Sequence, residues 1–273
     1  MDSNVYDHTS MLQFLAAWTG VKPANVTPWR ASVTGDLTAA FDFKHPDFSI
    51  PANIPTLEQT WALTQLTGGS TTPPAEGEQQ MPTQEPGTRP HRPSNYQLLA
   101  DVTVNRTTSK VTAALTNTGT VGASFAVYPD AYLAFGATPV TVLPSSAGSY
   151  VWEAALTLGK YAFSVYGPDG FLTSFAGEVA PAGRTAGQIP VVTAAPKRGA
   201  TAKVELTLAN EGRQAIVYTL TPNDYEGSTR TVTVRSNSAT TVNWPTNQDG
   251  YYDVVITANT SDGFRRRYAG RIA

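Results

Sequence analysis

The feature that most constrains this chain is an internal repeat in its second half, with a period of 93 residues. Asn117 has its counterpart in Asn210, and Phe171 has its counterpart in Phe264, each 93 residues further along. Other pairs keep this spacing or differ from it by one or two residues: Trp152/Trp244, Tyr161/Tyr252 and Gly177/Gly270. Because self-similarity at a fixed period is typical of duplicated structural units, we predict two tandem domains at 95–180 and 187–273.

The residue pattern within both copies predicts β-strands. Short runs rich in Val, Thr, Tyr and Phe are separated by turns with Gly, Pro or Asn, about every 8–12 residues. In the run KVTAALTN, Val111, Ala113 and Leu115 would lie on one side of a strand. Roughly seven such runs per copy predict a sandwich of two sheets. The expected fold class is mostly β, with two tandem immunoglobulin-like β-sandwiches preceded by a short helical segment.

Three of the repeated features have structural interpretations. The Asn-x-Gly elements at 117–119 and 210–212 predict turns with positive φ, which Asn and Gly tolerate. The Asp-Gly-Phe elements at 169–171 and 262–264 predict hairpin turns between the last two strands of each copy. Trp152 and Trp244 are expected in the core between the sheets.

The segment before the repeats lacks the β-strand pattern and contains a predicted helix and a predicted linker. Residues 7–20 predict one helix, capped by Asp7 or Thr9 and ended by Gly20. The apolar residues on one face of this helix are Met11, Leu15 and Trp18. Residues 1–66 contain too little periodic structure to enclose a core, so we expect them to be the end of a larger domain. Residues 67–94 are rich in Gly, Pro, Thr, Gln and Glu and predict a flexible linker.

Charge and composition exclude several classes of protein. The chain carries 19 Lys+Arg and 21 Asp+Glu, a net charge of −2, which argues against nucleic-acid binding driven by bulk charge. The absence of cysteine excludes disulfides, zinc ribbons and a cysteine nucleophile. No apolar run reaches the roughly 18 residues of a transmembrane helix. The N-terminus has no basic stretch followed by an apolar one, so no signal peptide is expected in this chain.

No complete catalytic motif is found. The chain has three histidines, no serine has a credible partner base, and the common nucleophile and phosphate-binding loops are missing. His45 with Asp42 and Asp47 is a conceivable metal site, but solvated loop residues are the favoured interpretation. We therefore predict no metal site.

The motifs at both ends of the chain resemble those of bacterial phospholipases C that prefer phosphatidylcholine and sphingomyelin, of the non-haemolytic and haemolytic type. Tyr6-Asp7-His8-Thr9-Ser10, followed by Trp29-Arg30 and the segment 34–37, is similar to the motif that closes the family's phosphoesterase catalytic domain. Residues 161–177 and 251–271 resemble its two C-terminal repeats. The resemblance implies that 1–66 is the C-terminal remnant of an α/β phosphoesterase domain.

The same resemblance implies a function. The family's nucleophile and most metal ligands lie upstream of the matched motif, so this chain would be an accessory region of a secreted phospholipase C and inactive by itself. Its partners would be the upstream catalytic domain and a phospholipid surface. It would need no cofactor of its own, although the full-length family enzyme would use a divalent metal. Asp7 and His8 are the matched residues with a claim to an active-site role, and helix capping is the alternative interpretation of Asp7.

One dense basic cluster is a candidate contact site. It consists of Arg265, Arg266, Arg267 and Arg271. On a strand, Arg265, Arg267 and Arg271 would share one side, and Arg266 would face the other. The cluster would contact lipid phosphates or an acidic surface of the upstream domain. The favoured alternative is a charged edge strand that prevents unwanted strand pairing.

Exposed aromatic residues would indicate a different class of function. A carbohydrate- or cell-surface-binding module of an exported hydrolase would need a row of them on one sheet face. Only two tryptophans fall in the repeats, at equivalent positions that we expect to be buried. A weaker group, Tyr128, Tyr132 and Phe135, flanks a loop and is a candidate for contact with a membrane interface, although packing is the favoured interpretation.

Overall fold

In the part of the chain that the structure describes, three short α-helices precede the strands. The computed structural model describes residues 2–50, 52–65, 72–73, 75–78, 92–134, 136–179, 187–199 and 201–272. The helices are α1 (His8–Thr19), α2 (Pro28–Val33) and α3 (Leu57–Gln65), with a 3₁₀ turn at Thr38–Ala40. The Asp7 carboxylate accepts a hydrogen bond from the Thr9 N–H, and Gly20 ends α1 in the left-handed conformation. The helix predicted at 7–20 is confirmed.

Each repeat contributes seven strands within the described ranges. Module 1 (95–179) contains β1 (Leu98–Asn105), β2 (Lys110–Asn117), β3 (Ala123–Pro129), β4 (Thr138–Val142), β5 (Ser146–Glu153), β6 (Lys160–Tyr166) and β7 (Leu172–Glu178). Module 2 (187–272) contains β8 (Pro190–Lys197), β9 (Lys203–Asn210), β10 (Ile216–Asp224), β11 (Arg230–Val234), β12 (Ser238–Pro245), β13 (Tyr251–Ala258) and β14 (Arg265–Arg271). A 3₁₀ turn at Ala154–Thr157 joins β5 to β6. The prediction of a mostly β chain is confirmed.

Both modules are sandwiches of three strands on four. In module 1, the sheet β1-β2-β5 packs on β4-β3-β6-β7, and in module 2, β12-β9-β8 packs on β11-β10-β13-β14. The alternating strands bury one face each, as in β9, where every second side chain is buried. Across the first core, the Trp152 indole stacks on the Phe163 ring at 5.6 Å between centroids. The predicted burial of Trp152 and Trp244 is confirmed, since they are 1% and 0% exposed.

The two modules share one continuous sheet. Strand β7 of module 1 pairs antiparallel with β14 of module 2, with Phe175 opposite Arg266 and Thr173 opposite Tyr268. The two four-stranded sheets therefore merge into eight strands in the order β11-β10-β13-β14-β7-β6-β3-β4. Pairing satisfies the backbone groups that the last strand of each module would otherwise leave at an open edge.

The repeated Asn-x-Gly elements have a role other than the predicted one. Neither Gly119 nor Gly212 has positive φ. Instead, Asn117 is buried and its Nδ2 donates to the carbonyls of Val121 and Val142, which ties the end of β2 to the other sheet. Asn210 makes the equivalent bonds in module 2 to the residues Gln214 and Val234. A Cβ on Gly119 would lie 2.3 Å from a backbone oxygen, so close approach, not φ, requires glycine.

The Asp-Gly-Phe elements form hairpin turns as predicted. Asp169 and Gly170 have φ values of 58° and 72° between β6 and β7, the conformation of a two-residue hairpin turn. In the second copy, the Asp262 carboxylate accepts from the Phe264 N–H at 3.1 Å between β13 and β14. Phe171 and Phe264 occupy equivalent positions just before the last strand of each module.

The N-terminal segment 2–40 packs on module 1. The Val5 N–H donates to the Tyr96 hydroxyl at 3.1 Å, and the Gly122 N–H donates to the Ser32 carbonyl at 2.9 Å. The chain divides into two compact units, one containing 2–40 with 92–273 and the other containing 41–91. The boundary between the two units therefore falls after Ala40, whereas the sequence-based prediction placed residues 1–66 in one domain. The linker predicted at 67–94 lies for the most part outside the described residues.

Candidate functional site

Asp7 is held by helix capping and by an ion pair. Its carboxylate accepts from the backbone N–H and the hydroxyl of Thr9, and it pairs with the guanidinium of Arg30. The Thr9 hydroxyl, followed by Arg30, lowers the pKa of Asp7 to about 2. His8 is the first residue of α1 and is exposed. Asp7 thus caps the N-terminus of α1, and its ion pair with Arg30 connects α1 to α2.

The loop that contains His45 does not assemble a metal site. The His45 Nδ1 lies 3.3 Å from the Asp42 Oδ2, while Asp47 accepts a bond from the Ser49 N–H. Within the part of the chain that the structure describes, no three His, Cys, Asp or Glu side chains are grouped so that they could hold a metal ion.

The arginine cluster lies on a central strand and not on an edge. Strand β14 is paired with β13 on one side and with β7 on the other, so the edge-strand interpretation is wrong. Alternation divides the cluster as expected, with Arg266 facing the core and its two neighbours on the outer face. On that outer face, the Arg267 Nε and Nη2 bind both carboxylate oxygens of Asp253 at 2.9 and 2.6 Å. Arg267 is therefore occupied by an internal ion pair.

Arg266 is buried where the modules meet, with 2% of its surface exposed. Its Nη1 donates to the Ala176 carbonyl of β7 at 2.7 Å, and its Nη2 donates to the Tyr161 hydroxyl of β6 at 2.8 Å. Three rings surround the guanidinium, with centroids 4.2 Å (Phe264), 5.4 Å (Tyr161) and 5.6 Å (Phe175) away. A cation enclosed by aromatic faces keeps favourable electrostatics without water. Arg266 thus joins the modules and does not face a lipid surface.

Arg271 occupies a second junction contact. Its side chain is 4% exposed, and its Nε donates to the Asp249 carbonyl at 3.0 Å. Its Nη1 lies 4.0 Å from the carboxylate of Asp169, which belongs to the β6–β7 hairpin of module 1. Arg271 therefore contributes to the same junction as Arg266 and lies away from the solvent.

A partly buried carboxylate completes the junction. The Asp101 side chain on β1 accepts from the Tyr268 hydroxyl at 2.7 Å and from the Ala194 N–H at 3.2 Å, and both donors belong to module 2. Burial raises the pKa of Asp101 to about 6. Asp101 is absent from the predicted site residues, although its position as an isolated acid inside the apolar run QLLADVTV was an available signal.

A cavity of about 260 Å³ lies at the junction. Its charged or aromatic lining side chains include Tyr161, Glu178, Glu211, Asp262 and Arg266. The wall carries both signs of charge, and Arg266 is already held by carbonyl and hydroxyl contacts. The geometry therefore identifies a structural joint between modules.

The tyrosines of the predicted aromatic group are exposed. Tyr128 is 45% exposed and Tyr132 is 55% exposed, so the packing interpretation does not hold for them. Phe135 lies outside the described residues. Tyr166 is 46% exposed and meets Tyr128 edge to face, at an interplanar angle of 88°.

Fold and junction together define a protein with two joined β-sandwich modules and a short helical segment docked on the first. In the described residues, no helix is long and apolar enough to cross a membrane. The sequence model of the family described as "Bacterial phospholipase C, C-terminal domain" matches residues 90–178 and, a second time, 189–271. The chain belongs to this family, as the sequence predicted.

Three curated relatives match over nearly the whole chain. The non-hemolytic phospholipase C of Burkholderia pseudomallei is 34% identical over 275 residues, which cover 99% of this chain and 39% of the relative. The non-hemolytic and hemolytic phospholipases C of Pseudomonas aeruginosa are 32% and 30% identical over the full chain, and it covers 40% and 41% of them. The chain thus spans about 40% of the length of each of these three relatives.

Proposed function

We propose that this chain is the C-terminal region of a secreted phospholipase C and acts as a non-catalytic accessory region. In this role it docks on an upstream phosphoesterase domain, stabilises that domain and orients it toward phospholipid. Family membership supports the proposal, together with relatives that are more than twice as long as the matched region. Hydrolysis of choline phospholipids would belong to the part of those relatives that this chain does not match.

The observation that carries this proposal is the inverted orientation of α1. The polar side of the helix faces the protein: Ser10 is buried, and the Gln13 Nε2 donates to the Thr34 hydroxyl at 2.7 Å. The apolar side faces solvent, with Met11 67%, Leu15 47% and Trp18 78% exposed. A surface helix of a globular domain normally packs its apolar face on the core and exposes its polar face to solvent. We therefore assign the apolar face of α1 as the contact with the upstream domain.

The α1 face gives a direct test. Phosphatidylcholine hydrolysis would be measured with divalent metals, using the purified chain alone and the chain mixed with the remaining N-terminal part of the B. pseudomallei relative. We expect no turnover by the chain alone and a complex in the mixture. The double substitution Met11→Gln/Leu15→Gln should weaken that complex at least about 10-fold, because two apolar contacts are lost.

Two outcomes would contradict the proposal. One is metal-dependent turnover by the chain alone that Asp7→Ala or His8→Ala abolishes, which would make it a compact enzyme. The other is a complex that forms equally well with the Met11→Gln/Leu15→Gln variant. A matched control is Leu156→Gln/Leu158→Asn, which also removes two exposed apolar side chains and should leave the complex unchanged.

The carbohydrate-binding alternative has less support. Both tryptophans of the modules are buried, so neither offers a flat stacking surface. The exposed pair Tyr128 and Tyr166 is perpendicular, whereas a sugar platform needs faces that lie side by side. Failure of the chain to bind bacterial cell-wall polysaccharide would agree with the accessory role.

A further inference from the structure

The loops at one end of module 1 expose large apolar side chains on an ordered backbone. We name this end the distal loops, defined as the β1–β2 loop (106–109), the first part of the β3–β4 loop (130–134) and the segment 154–160. Leu156 is 79% exposed and Leu158 is 89% exposed. Neither leucine gains the stabilisation that burial of its side chain would give, so both contribute apolar surface to the solvent-exposed end of the module.

The backbone that carries the leucines is tied to its neighbours. The Ala154 N–H donates to the Ser109 carbonyl at 2.9 Å, and the Gly159 N–H donates to the Ala154 carbonyl at 2.8 Å. The Thr157 side chain turns inward and is buried. Leu158 has a φ of 55°, a left-handed conformation that Asn or Gly adopts at lower cost than Leu. Neither packing nor backbone conformation therefore explains a leucine at this position.

Module 2 provides an internal comparison. The equivalent loop lies between the matched residues Trp244 and Tyr252 and contains Thr246-Asn247-Gln248-Asp249-Gly250. This loop is polar and closes through hydrogen bonds of its own, such as the Gly250 N–H to the Asn247 carbonyl at 3.0 Å. The same sandwich thus forms with a polar loop here. The apolar residues of module 1 are a property of that module and not a requirement of the fold.

The distal loops lie at the opposite end of module 1 from the N-terminal segment. Residues 2–40 bind near the beginnings of β1 and β3, through Tyr96 and Gly122. The distal loops follow the ends of these two strands. A strand of 7–8 residues spans roughly 25 Å, so an upstream domain docked on the N-terminal segment would be attached far from Leu156 and Leu158.

The side chains around the leucines are of the types that occupy a membrane–water interface. Tyr132 is 55% exposed, and the exposed Lys160 has its Nζ 6.0 Å from the centre of the Tyr132 ring. Tyrosine and lysine combine an apolar body with a polar tip, which suits the headgroup region. The charged residues nearby are balanced in number: Arg106, Lys110 and Lys160 against Asp130, Glu153 and Glu178. Charge balance favours a zwitterionic surface over an anionic one.

We propose that the distal loops insert Leu156 and Leu158 into the interface of a zwitterionic phospholipid bilayer, with Tyr132 and Lys160 at headgroup level. The choice of a lipid as partner rests on the proposed function. A protruding pair of leucines between polar neighbours suits a deformable lipid surface, whereas a protein partner would need a matching pocket. The distal loops would then hold this chain on the bilayer, while the α1 face remains available for the upstream domain.

Binding of the full chain to phosphatidylcholine vesicles tests this inference. Co-sedimentation would compare the unchanged chain with the variant Leu156→Gln/Leu158→Asn, in which Asn keeps the left-handed backbone conformation. We expect the partition coefficient of the variant onto the vesicles to be at least about 10-fold lower, because both apolar anchors are lost. Raising the salt concentration to about 1 M should change binding by the unchanged chain less than 2-fold or so. The variant should keep the unfolding temperature of the unchanged chain, since both side chains are exposed.

The matched control separates this inference from the proposed function. Met11→Gln/Leu15→Gln should bind vesicles like the unchanged chain while losing the upstream domain. Equal vesicle binding by the Leu156→Gln/Leu158→Asn variant would overturn membrane insertion and leave the accessory role standing. Loss of vesicle binding in the Met11→Gln/Leu15→Gln variant alone would place the lipid contact on α1. An unchanged chain that binds no vesicles, or whose leucines only mediate self-association, would also overturn the inference.

Discussion

The hydroxyl of Tyr268 in module 2 donates a 2.7 Å hydrogen bond to the carboxylate of Asp101 in module 1. The same hydroxyl lies 3.1 Å from the Val192 carbonyl, and Tyr268 pairs through its backbone with Thr173 of β7. One residue of β14 is therefore bound to both layers of the neighbouring module. Together with the contacts of Arg266, this hydrogen bond links the buried interiors of the two modules.

The pH dependence of stability should report on Asp101. Its pKa is raised to about 6 in the folded chain, above the ordinary value of 3.8, so the folded state binds the proton more tightly than the unfolded state does. The contribution is therefore complete below about pH 4 and is lost as the pH rises through 6. We expect the free energy of unfolding to fall by about 2 kcal/mol across this window. Asp101→Asn should flatten this part of the curve in denaturation series from pH 4 to 7.

Replacing Arg266 by Ala should destabilise the chain by about 3–5 kcal/mol. The substitution removes the guanidinium from its aromatic enclosure and leaves the Tyr161 hydroxyl and the Ala176 carbonyl without their donor. Arg265→Ala is the matched control, because it changes the adjacent residue on the outer face of the same strand. It should cost less than about 0.5 kcal/mol in urea unfolding. Equal effects of the two substitutions would contradict the assigned role of Arg266.

The two equivalent tryptophans should respond differently to the same substitution. The Trp152 Nε1 donates to the Lys160 carbonyl at 3.1 Å, whereas the buried Trp244 Nε1 has no hydrogen-bond partner among the described residues. Both Trp→Phe changes leave a similar cavity, but only Trp152→Phe also breaks a hydrogen bond. We expect Trp152→Phe to be more destabilising than Trp244→Phe by about 1–2 kcal/mol in thermal or chemical unfolding. The reverse order would show that packing around the indoles differs more than their polar contacts do.

Limited proteolysis should cut first within 67–94, where the composition offers little apolar surface to bury. After this cut, the N-terminal fragment should remain bound during gel filtration, because residues 2–40 pack on module 1. First cleavage inside a β-module would contradict the predicted linker.

Substitution of Gly122 should release that fragment. A Cβ at this position would lie 2.4 Å from the Ser32 carbonyl oxygen, so Gly122→Ala disrupts the contact between the N-terminal segment and β3. The control Gly136→Ala places its Cβ in open space and should leave the nicked complex intact. Retention of the fragment by the Gly122→Ala chain would mean that other contacts hold the segment.

Local sequence patterns were sufficient to predict the strands, the first helix and the duplication. Alternation of apolar residues identified the strands, Asp7 and Gly20 marked the ends of α1, and the spacing of Phe171 and Phe264 located both final hairpins. These features are local: they depend on backbone preferences and on which side of a strand a residue faces. Family motifs added the correct membership in the phospholipase C C-terminal family.

The roles of the arginines, in contrast, depend on contacts between the two modules. Alternation separates Arg266 from Arg265 and Arg267, but it does not show whether the inward side meets solvent, an ion pair or a ring of aromatic side chains. That depends on the pairing of β7 with β14, which joins the edge strands of two modules that are far apart in the sequence. Strand alternation carries no information about which distant edge will pair, because any edge offers the same backbone groups. The junction follows from that pairing together with the contact between β1 and β8, where the Ala194 N–H donates to the Asp101 carboxylate.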